Sequence, residues 1–306
     1  MNLENFSSRH FDLLKVDDGI FAAIAKEGGG AVGNAGFVDL GHQTIIFDTF
    51  NTQQAALELK NMAERISNRP VTWVINSHWH GDHIRGNQVY KDSKIISSEE
   101  TRLKMLENDP ERFKKQKDDI EGLKSYILSL EERYLNENEL SLYNQINFLK
   151  EFEVSLKTLE LVLPSITYKK EATFYGTKKT AKLITFGGGH SVCDSFLYIP
   201  ENKTIFMGDL LFVNSHPSFF AESNPLKWKI ILEEMEKLNI EKVIPGHGGV
   251  GTKKAILNLI SYFEDLFRII NENESVEEYE IPKKYSNWTY PELFLKNLKM
   301  LKTLFN

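Results

Sequence analysis

Cysteine is almost absent from the chain: Cys193 is the single one among 306 residues. One thiol excludes an internal disulfide and any cage of cysteine ligands around a metal. A basic excess is missing too. Lys and Arg number 37 against 43 Asp and Glu, a formal net charge of -6, so the chain lacks the electrostatic footprint of a nucleic-acid binder and nucleic acid is not an expected partner. No run approaches the roughly 18 consecutive apolar residues that cross a bilayer. The opening MNLENFSSRHFDLL also lacks the basic start and apolar stretch of a leader, and together these point away from membranes and toward the cytoplasm. What is present is ordinary globular material. Hydrophobic residues make up 41%, enough for a sizeable core, and layered α/β enzymes of this length commonly form one domain with insertions, here residues 1–306.

Short β-rich runs occupy 19–25, 35–40 and 43–47, separated by glycine and polar turn residues, and read as adjacent antiparallel strands. Residues 52–66 (TQQAALELKNMAERI) have helical composition, and VTWVI at 71–75 reads as a buried strand that empties into a His-rich loop. The texture changes over 99–163. Leu123, Ile127, Leu130 and Tyr134, then Leu142, Ile146, Leu149, Leu156 and Leu159, recur at helical spacing and predict an inserted helical hairpin. Such an insertion either packs its own core or forms a lid or dimer surface, so a homodimer is a possible assembly. Strands resume at 181–186, 195–199 and 204–207, followed by a helix at 225–238, a strand at Val243 and a helical tail over 253–306 that closes with a helix at 288–305. Strands then helix, twice over, predict two facing sheets with helices outside, a four-layer αββα sandwich.

The loop after VTWVI reads Asn76-Ser77-His78-Trp79-His80-Gly81-Asp82-His83. Three imidazoles and a carboxylate this close are rarely structural. Side chains two apart in extended backbone point the same way, so His78 and His80 can converge on one ion while Asp82 and His83 turn toward a neighbouring one. Gly81 permits the bend between the pairs.

This loop resembles the HxHxDH signature of the metallo-beta-lactamase superfamily, and the family's later motifs follow in order. Gly189-His190-Ser191 resembles its GH[ST] turn, Gly208-Asp209 its GD turn, and Pro245-Gly246-His247-Gly248 its PGHG turn. The resemblance implies the metallo-beta-lactamase fold with two divalent ions, zinc first, with iron or manganese also compatible. It implies that His78, His80 and His190 hold one ion, that Asp82, His83 and His247 hold the other, and that Asp209 bridges them. Asp48 resembles the early Asp that buttresses the His loop, and Asp194 is placed to orient a ligand.

Differences inside the superfamily narrow the activity. Cys193 lies in the His190 turn and not at the Asp209 position, so the Cys-ligand pattern of one group of beta-lactamases is absent. His80 stands where flavin-linked diiron members carry Glu. The stretch from Gly187 to Val250 looks most like the cyclase-like and sulfur-oxidation-associated branch. The expected activity is hydrolysis of an ester, lactone, thioester or amide of a small molecule by a hydroxide shared between two metals. Asp82 and His216 are the expected catalytic residues, Asp82 as the group that orients the attacking water or shuttles its proton. Trp79, Arg85, Asn87 and Phe212 are candidate pocket residues. A phosphodiesterase or nuclease of the same fold, and a metal-binding regulatory protein without turnover, are the alternatives.

Overall fold

Alternation along the first strands decides where they pack. In the computed structural model, which describes residues 7–305, β1 (Phe11–Asp17) and β2 (Ile20–Ala25) form a hairpin, joined by β3 (Ala35–Asp39) and β4 (Thr44–Phe47) in an antiparallel run. Successive side chains of a strand face opposite sides of the sheet. Phe21, Ala23, Phe37 and Ile46 accordingly enter one apolar layer, while Ile20, Ala22, Val38, Ile45 and Phe47 enter another. The first six residues of the stretch read for a leader lie outside the described residues.

Helix α1 (Gln53–Ser67) starts where Thr52 caps it, its side chain accepting from the Ala55 N–H, and it lays Ala55, Ala56, Leu59 and Ala63 on the outer face of the first sheet. The chain then adds β5 (Val71–Ile75), the short α2 (Gly81–Ile84) and β6 (Lys94–Ser98), with β5 and β6 parallel to their predecessors. Three helices follow: α3 (Glu99–Asp118), α4 (Ile120–Glu137) and α5 (Leu140–Leu156). The hairpin expected there is α4 with α5, which bury Ile127, Leu130, Leu142 and Ile146 against each other. Leu156 and Leu159 depart from that stripe and pack on Phe113 of α3 instead. Strand β7 (Ile166–Tyr168) closes the seven-stranded sheet beside β6.

The second sheet has six strands in the order β15-β13-β11-β10-β9-β8. These are β8 (Glu171–Tyr175), β9 (Thr180–Thr185), β10 (Ser195–Ile199), β11 (Thr204–Phe206), β13 (Lys242–Ile244) and β15 (Gly251–Thr252), while β12 (Phe212–Val213) and β14 (His247–Gly248) pair separately. Leu183, Leu197, Ile199, Phe206 and Ile244 meet the first sheet in the central layer, where the Phe47 and Phe206 rings lie 5.3 Å apart. The outer face of this sheet is covered by α6 (Pro225–Glu236), α7 (Lys253–Glu272) and α8 (Glu292–Phe305) around Trp228, Leu232, Phe263, Leu266 and Phe294. The four layers are therefore helix, sheet, sheet and helix, as the sequence predicts. The closing helix starts at Glu292, later than the expected 288, because Tyr290 at φ +57° and the following Pro291 break the helical backbone ahead of it, while Trp288 stacks on Tyr262 at 5.3 Å. No helix among the described residues is long and apolar enough to cross a membrane.

Candidate metal centre

Chain turns at one rim of the sandwich deliver every cluster residue. Loop 76–80 leaves β5 and carries His78 and His80, α2 carries Asp82 and His83, the turn before β10 carries His190, the turn after β11 carries Asp209, and β14 carries His247. Ligand atoms of His78, His80, His190 and Asp209 lie within 4.8 Å of one another, and those of Asp82, His83 and His247 do likewise. The structure thus brings together all seven residues singled out in the sequence, in the two expected groups.

Asp209 stands between the groups. Its Oδ2 is 3.1 Å from His190 Nε2, 3.4 Å from His247 Nε2 and 3.8 Å from His78 Nε2, while its Oδ1 is 3.1 Å from His83 Nε2. Despite this crowding, His78 Nε2, His83 Nε2 and Asp209 Oδ1 are buried without a hydrogen-bond partner. Each such orphan costs about 1–3 kcal/mol, and three of them gathered around Asp209 from both ligand groups fit divalent ions held by imidazole and carboxylate. The surrounding backbone leaves that space open. A Cβ on Gly246 would fall 1.9 Å from Asp209 Oδ1, and one on Gly33 would fall 2.7 Å from His83 Nε2.

The opposite ring nitrogens are held from outside. Asp48, buried completely at φ +62°, receives the Ser77 N–H at 2.7 Å and the Ser77 hydroxyl at 2.7 Å, and its Oδ2 lies 2.8 Å from His83 Nδ1. Ser77 Oγ in turn lies 2.9 Å from His78 Nδ1. One carboxylate therefore orients two imidazoles, His83 directly and His78 through Ser77, which is the buttress expected of Asp48. Asp194 acts differently from expectation. It accepts from the Gly189 and Ser191 N–H groups, at 2.8 and 2.9 Å, and from the Ser191 hydroxyl at 2.7 Å, so it fixes the turn that presents His190 and touches no imidazole. Two positioning residues went unseen in the sequence. Glu222 Oε1 lies 2.9 Å from His80 Nε2 and accepts from Trp79 Nε1 at 2.9 Å, and Asn34 donates to the Pro245 and Gly248 carbonyls at 3.0 and 2.8 Å, clasping the His247 turn. A lone Glu and a lone Asn in loops carry no motif that marks them.

Charge within the cluster is strongly coupled. Burial would raise the carboxyls of Asp82 and Asp209, yet the imidazoles around them, His83 and His247 foremost, hold both well below the usual carboxylate range. Burial likewise opposes charge on His247, but Asp209 and Asp82 push it up to about 9, and the same carboxylates raise His83. Burial and the neighbouring His83 and His80 hold His78 well below the normal histidine range. Two ionised carboxylates thus draw positive charge into a buried space, a demand that divalent ions satisfy.

The cluster forms part of the lining of a cavity of about 960 Å³ that includes Phe212, Phe220, Arg112, Tyr290 and, from α5, Asn144 and Phe148. Of the candidate pocket residues, Phe212 lines it. Arg85 and Asn87 are buried instead, Arg85 donating to Asn51 at 2.7 Å and Gln116 at 2.9 Å, and Asn87 bonding Asn76 and the Val162 carbonyl. Trp79 packs behind His80 with ring centroids 5.2 Å apart. His216 sits in the far wall, packed among Tyr262, Trp288 and Phe294, with Nδ1 3.2 Å from the Tyr262 hydroxyl. Aromatic packing holds it there, and its hydrogen bond and ring contacts all go to the wall and not to the cluster.

Two facing sheets flanked by helices, with a His and Asp cluster where the turns meet, define the class as an αββα metallohydrolase. The chain belongs to the metallo-beta-lactamase superfamily, whose sequence model matches residues 28–247. That span contains all seven cluster residues. Among solved structures, a metallo-beta-lactamase from Pontibacter korlensis superposes with a TM-score of 0.61 at 16% identity, over 84% of this chain and 100% of that one. The DIM-1 metallo-beta-lactamase gives 0.60 at 17% identity, over 84% and 98%. At such identities the likeness establishes the shared fold.

Proposed function

We propose that this chain is a hydrolase whose cluster holds two divalent ions, zinc foremost, and which cleaves an ester, lactone, thioester or amide bond of a small molecule. The observation that carries this reading is the position of Asp209, 3.1 Å from an imidazole of each ligand group, on the lining of a cavity large enough for a small substrate. His78, His80 and His190 would hold one ion, Asp82, His83 and His247 the other, and Asp209 would reach both. Bound ions supply Lewis acidity and lower the pKa of water from 15.7 toward about 7.

The chain's own groups account for the remaining steps. Asp82 turns Oδ2 toward His83 and His247, at 3.5 and 3.4 Å, which leaves Oδ1 to orient the attacking water and accept its proton. Asp48 and Glu222 hold the imidazoles in register, so little reorganisation accompanies the charge that develops on the substrate oxygen. Phe212, Phe220 and Phe148 line the cavity and would meet apolar parts of a substrate.

The test is a panel of ester, lactone, thioester, beta-lactam and phosphodiester substrates, assayed with protein loaded with zinc, manganese or iron. Metal-dependent turnover of a carbonyl substrate is expected. Turnover of phosphodiesters alone would overturn the carbonyl reading, and no turnover across the panel would overturn the hydrolase reading.

A further inference from the structure

Within the first ligand group His80 is turned the other way round from its partners. His78 and His190 direct Nε2 toward Asp209, whereas His80 sets Nδ1 3.0 Å from His190 Nε2 and sends Nε2 outward, 2.9 Å from Glu222 Oε1. A neutral imidazole offers Nδ1 to an ion only when its proton is on Nε2. Glu222 is the acceptor that holds the proton there. Trp79 Nε1, a donor with no acceptor capacity, ends on the same Glu222 oxygen at 2.9 Å, so adjacent residues of the His loop share one carboxylate oxygen.

Both partners of that oxygen are held from outside the loop. Glu222 sits in a turn closed by the Ser223 N–H on the Phe220 carbonyl at 2.9 Å, and the turn is tied to the one that presents His190: the Ser223 hydroxyl donates to the His190 carbonyl and the Asn224 N–H to the Gly189 carbonyl at 2.9 Å. Trp79 is held from the inserted helix α3. The Arg112 guanidinium carbon lies 5.2 Å from the centroid of the indole, and the indole lies 5.2 Å from the His80 ring, so Trp79 fills the interval between them. Arg112 is itself fixed by an ion pair with Asp109, one turn earlier on α3 and fully buried. A continuous stack thus runs from a buried carboxylate of the insertion to an imidazole of the first ligand group. The second group has a different support, with Asp48 bonded directly to His83.

We infer that Glu222 and Trp79 are positioning residues for one of the two ions, and that α3 braces them through Arg112, so the insertion governs how firmly that ion is held and leaves the other to different supports. The inference rests on the two-ion reading above. It adds an asymmetry between the ions, and it gives the insertion a task other than lid or dimer face.

Zinc affinities of the full chain, measured by chelator competition, test this without turnover. The wild type should show two stepwise dissociation constants. Glu222→Gln keeps the size of the side chain and removes its charge; it should raise one constant by about 10- to 100-fold, as loss of a carboxylate behind a ligating histidine does, and leave the other in place. Trp79→Phe keeps a ring beneath Arg112 and drops the N–H, so it should raise that same constant by about three- to tenfold, the effect of one neutral hydrogen bond. Asp109→Asn/Arg112→Met removes both charges of the pair, so neither is left buried alone, and should raise it by about fivefold, the order of a partly desolvated cation–π contact. A spectroscopic signature accompanies these shifts: in the cobalt-loaded chain, one paramagnetically shifted imidazole N–H resonance should move in Glu222→Gln while the others stay.

Equal weakening of both ions, or movement of all the imidazole resonances together, would mark Glu222 as a general support of the fold and overturn the inference, as would two unchanged constants. An effect of Glu222→Gln alone, with the Trp79 and α3 variants at wild-type affinity, would remove the brace from α3. Saturation at one ion whose affinity falls in Glu222→Gln would sink the two-ion reading and keep the positioning role; saturation at one ion of unchanged affinity would sink both. A chain that binds as expected but hydrolyses nothing would count against the hydrolase reading only.

Discussion

Replacing Asp48 with alanine should damage the centre without touching any proposed metal ligand. The carboxylate is fully buried and serves three donors: the Ser77 N–H, the Ser77 hydroxyl and the His83 ring. Truncation orphans all three, at about 1–3 kcal/mol each. Relaxation and an entering water recover part of that, so a net loss of about 3 kcal/mol is expected. At roughly 2 °C per kcal/mol for a chain of this size, the melting temperature of the metal-free protein should fall by about 6 °C. Metal affinity should fall in addition by about 10- to 100-fold, the usual effect of removing a carboxylate that orients a ligating histidine. Asp48→Asn retains an acceptor for Ser77 and tolerates the positive φ, so it should lie between the two. Chelator competition on the loaded protein and thermal melts of the metal-free protein read the two effects separately. An alanine variant with metal affinity within threefold of wild type and an unchanged melting temperature would refute the buttress.

Asp209→Ala removes the group that reaches both halves of the cluster, so it should lower metal content and abolish turnover together; retention of both ions by elemental analysis would count against the bridge. Cys193 is 1% exposed and burial pushes its thiol up to about 12, so at pH 8 a thiol reagent should label the folded chain more than a hundredfold more slowly than the unfolded chain; comparable rates would contradict the packing of that turn. Asp109 titrates near 6 in the folded chain, raised by burial against the pull of Arg112 and Arg85, and near 3.9 when unfolded. Folding therefore takes up a proton between those values, and the group destabilises the folded state as pH rises through 6, by up to about 3 kcal/mol. Asp109→Asn, which mimics the protonated form, should gain stability over wild type at pH 8 and little at pH 4 in denaturant melts; the opposite trend would refute this sign.

The sequence was most legible where chemistry is dense. His78, His80, Asp82 and His83 sit within one loop, and the turns bearing His190, Asp209 and His247 have short motifs of their own, so the cluster could be assembled on paper. Four layers were equally readable from the order of strands and helices. Weak strands escaped: β1, β7 and β8 mix polar and apolar residues, as in FDLLKVD and EATFY, because one face of each is half exposed and alternation is diluted. Long-range partners escaped for another reason. Glu222 lies 142 residues from His80, and no local pattern ties a loop glutamate to a distant imidazole. His216 drew attention by following Asp209 in the chain; it lines the same cavity as the cluster, with its ring packed among Tyr262, Trp288 and Phe294.

The central claim is a two-ion centre shared across Asp209, and metal stoichiometry on the purified chain tests it most directly. Dialysed protein titrated with zinc, and separately with manganese and iron, should saturate at two ions per chain by elemental analysis, with hydrolytic activity rising to its maximum as the second ion binds. Saturation at one ion with all three metals would contradict the account.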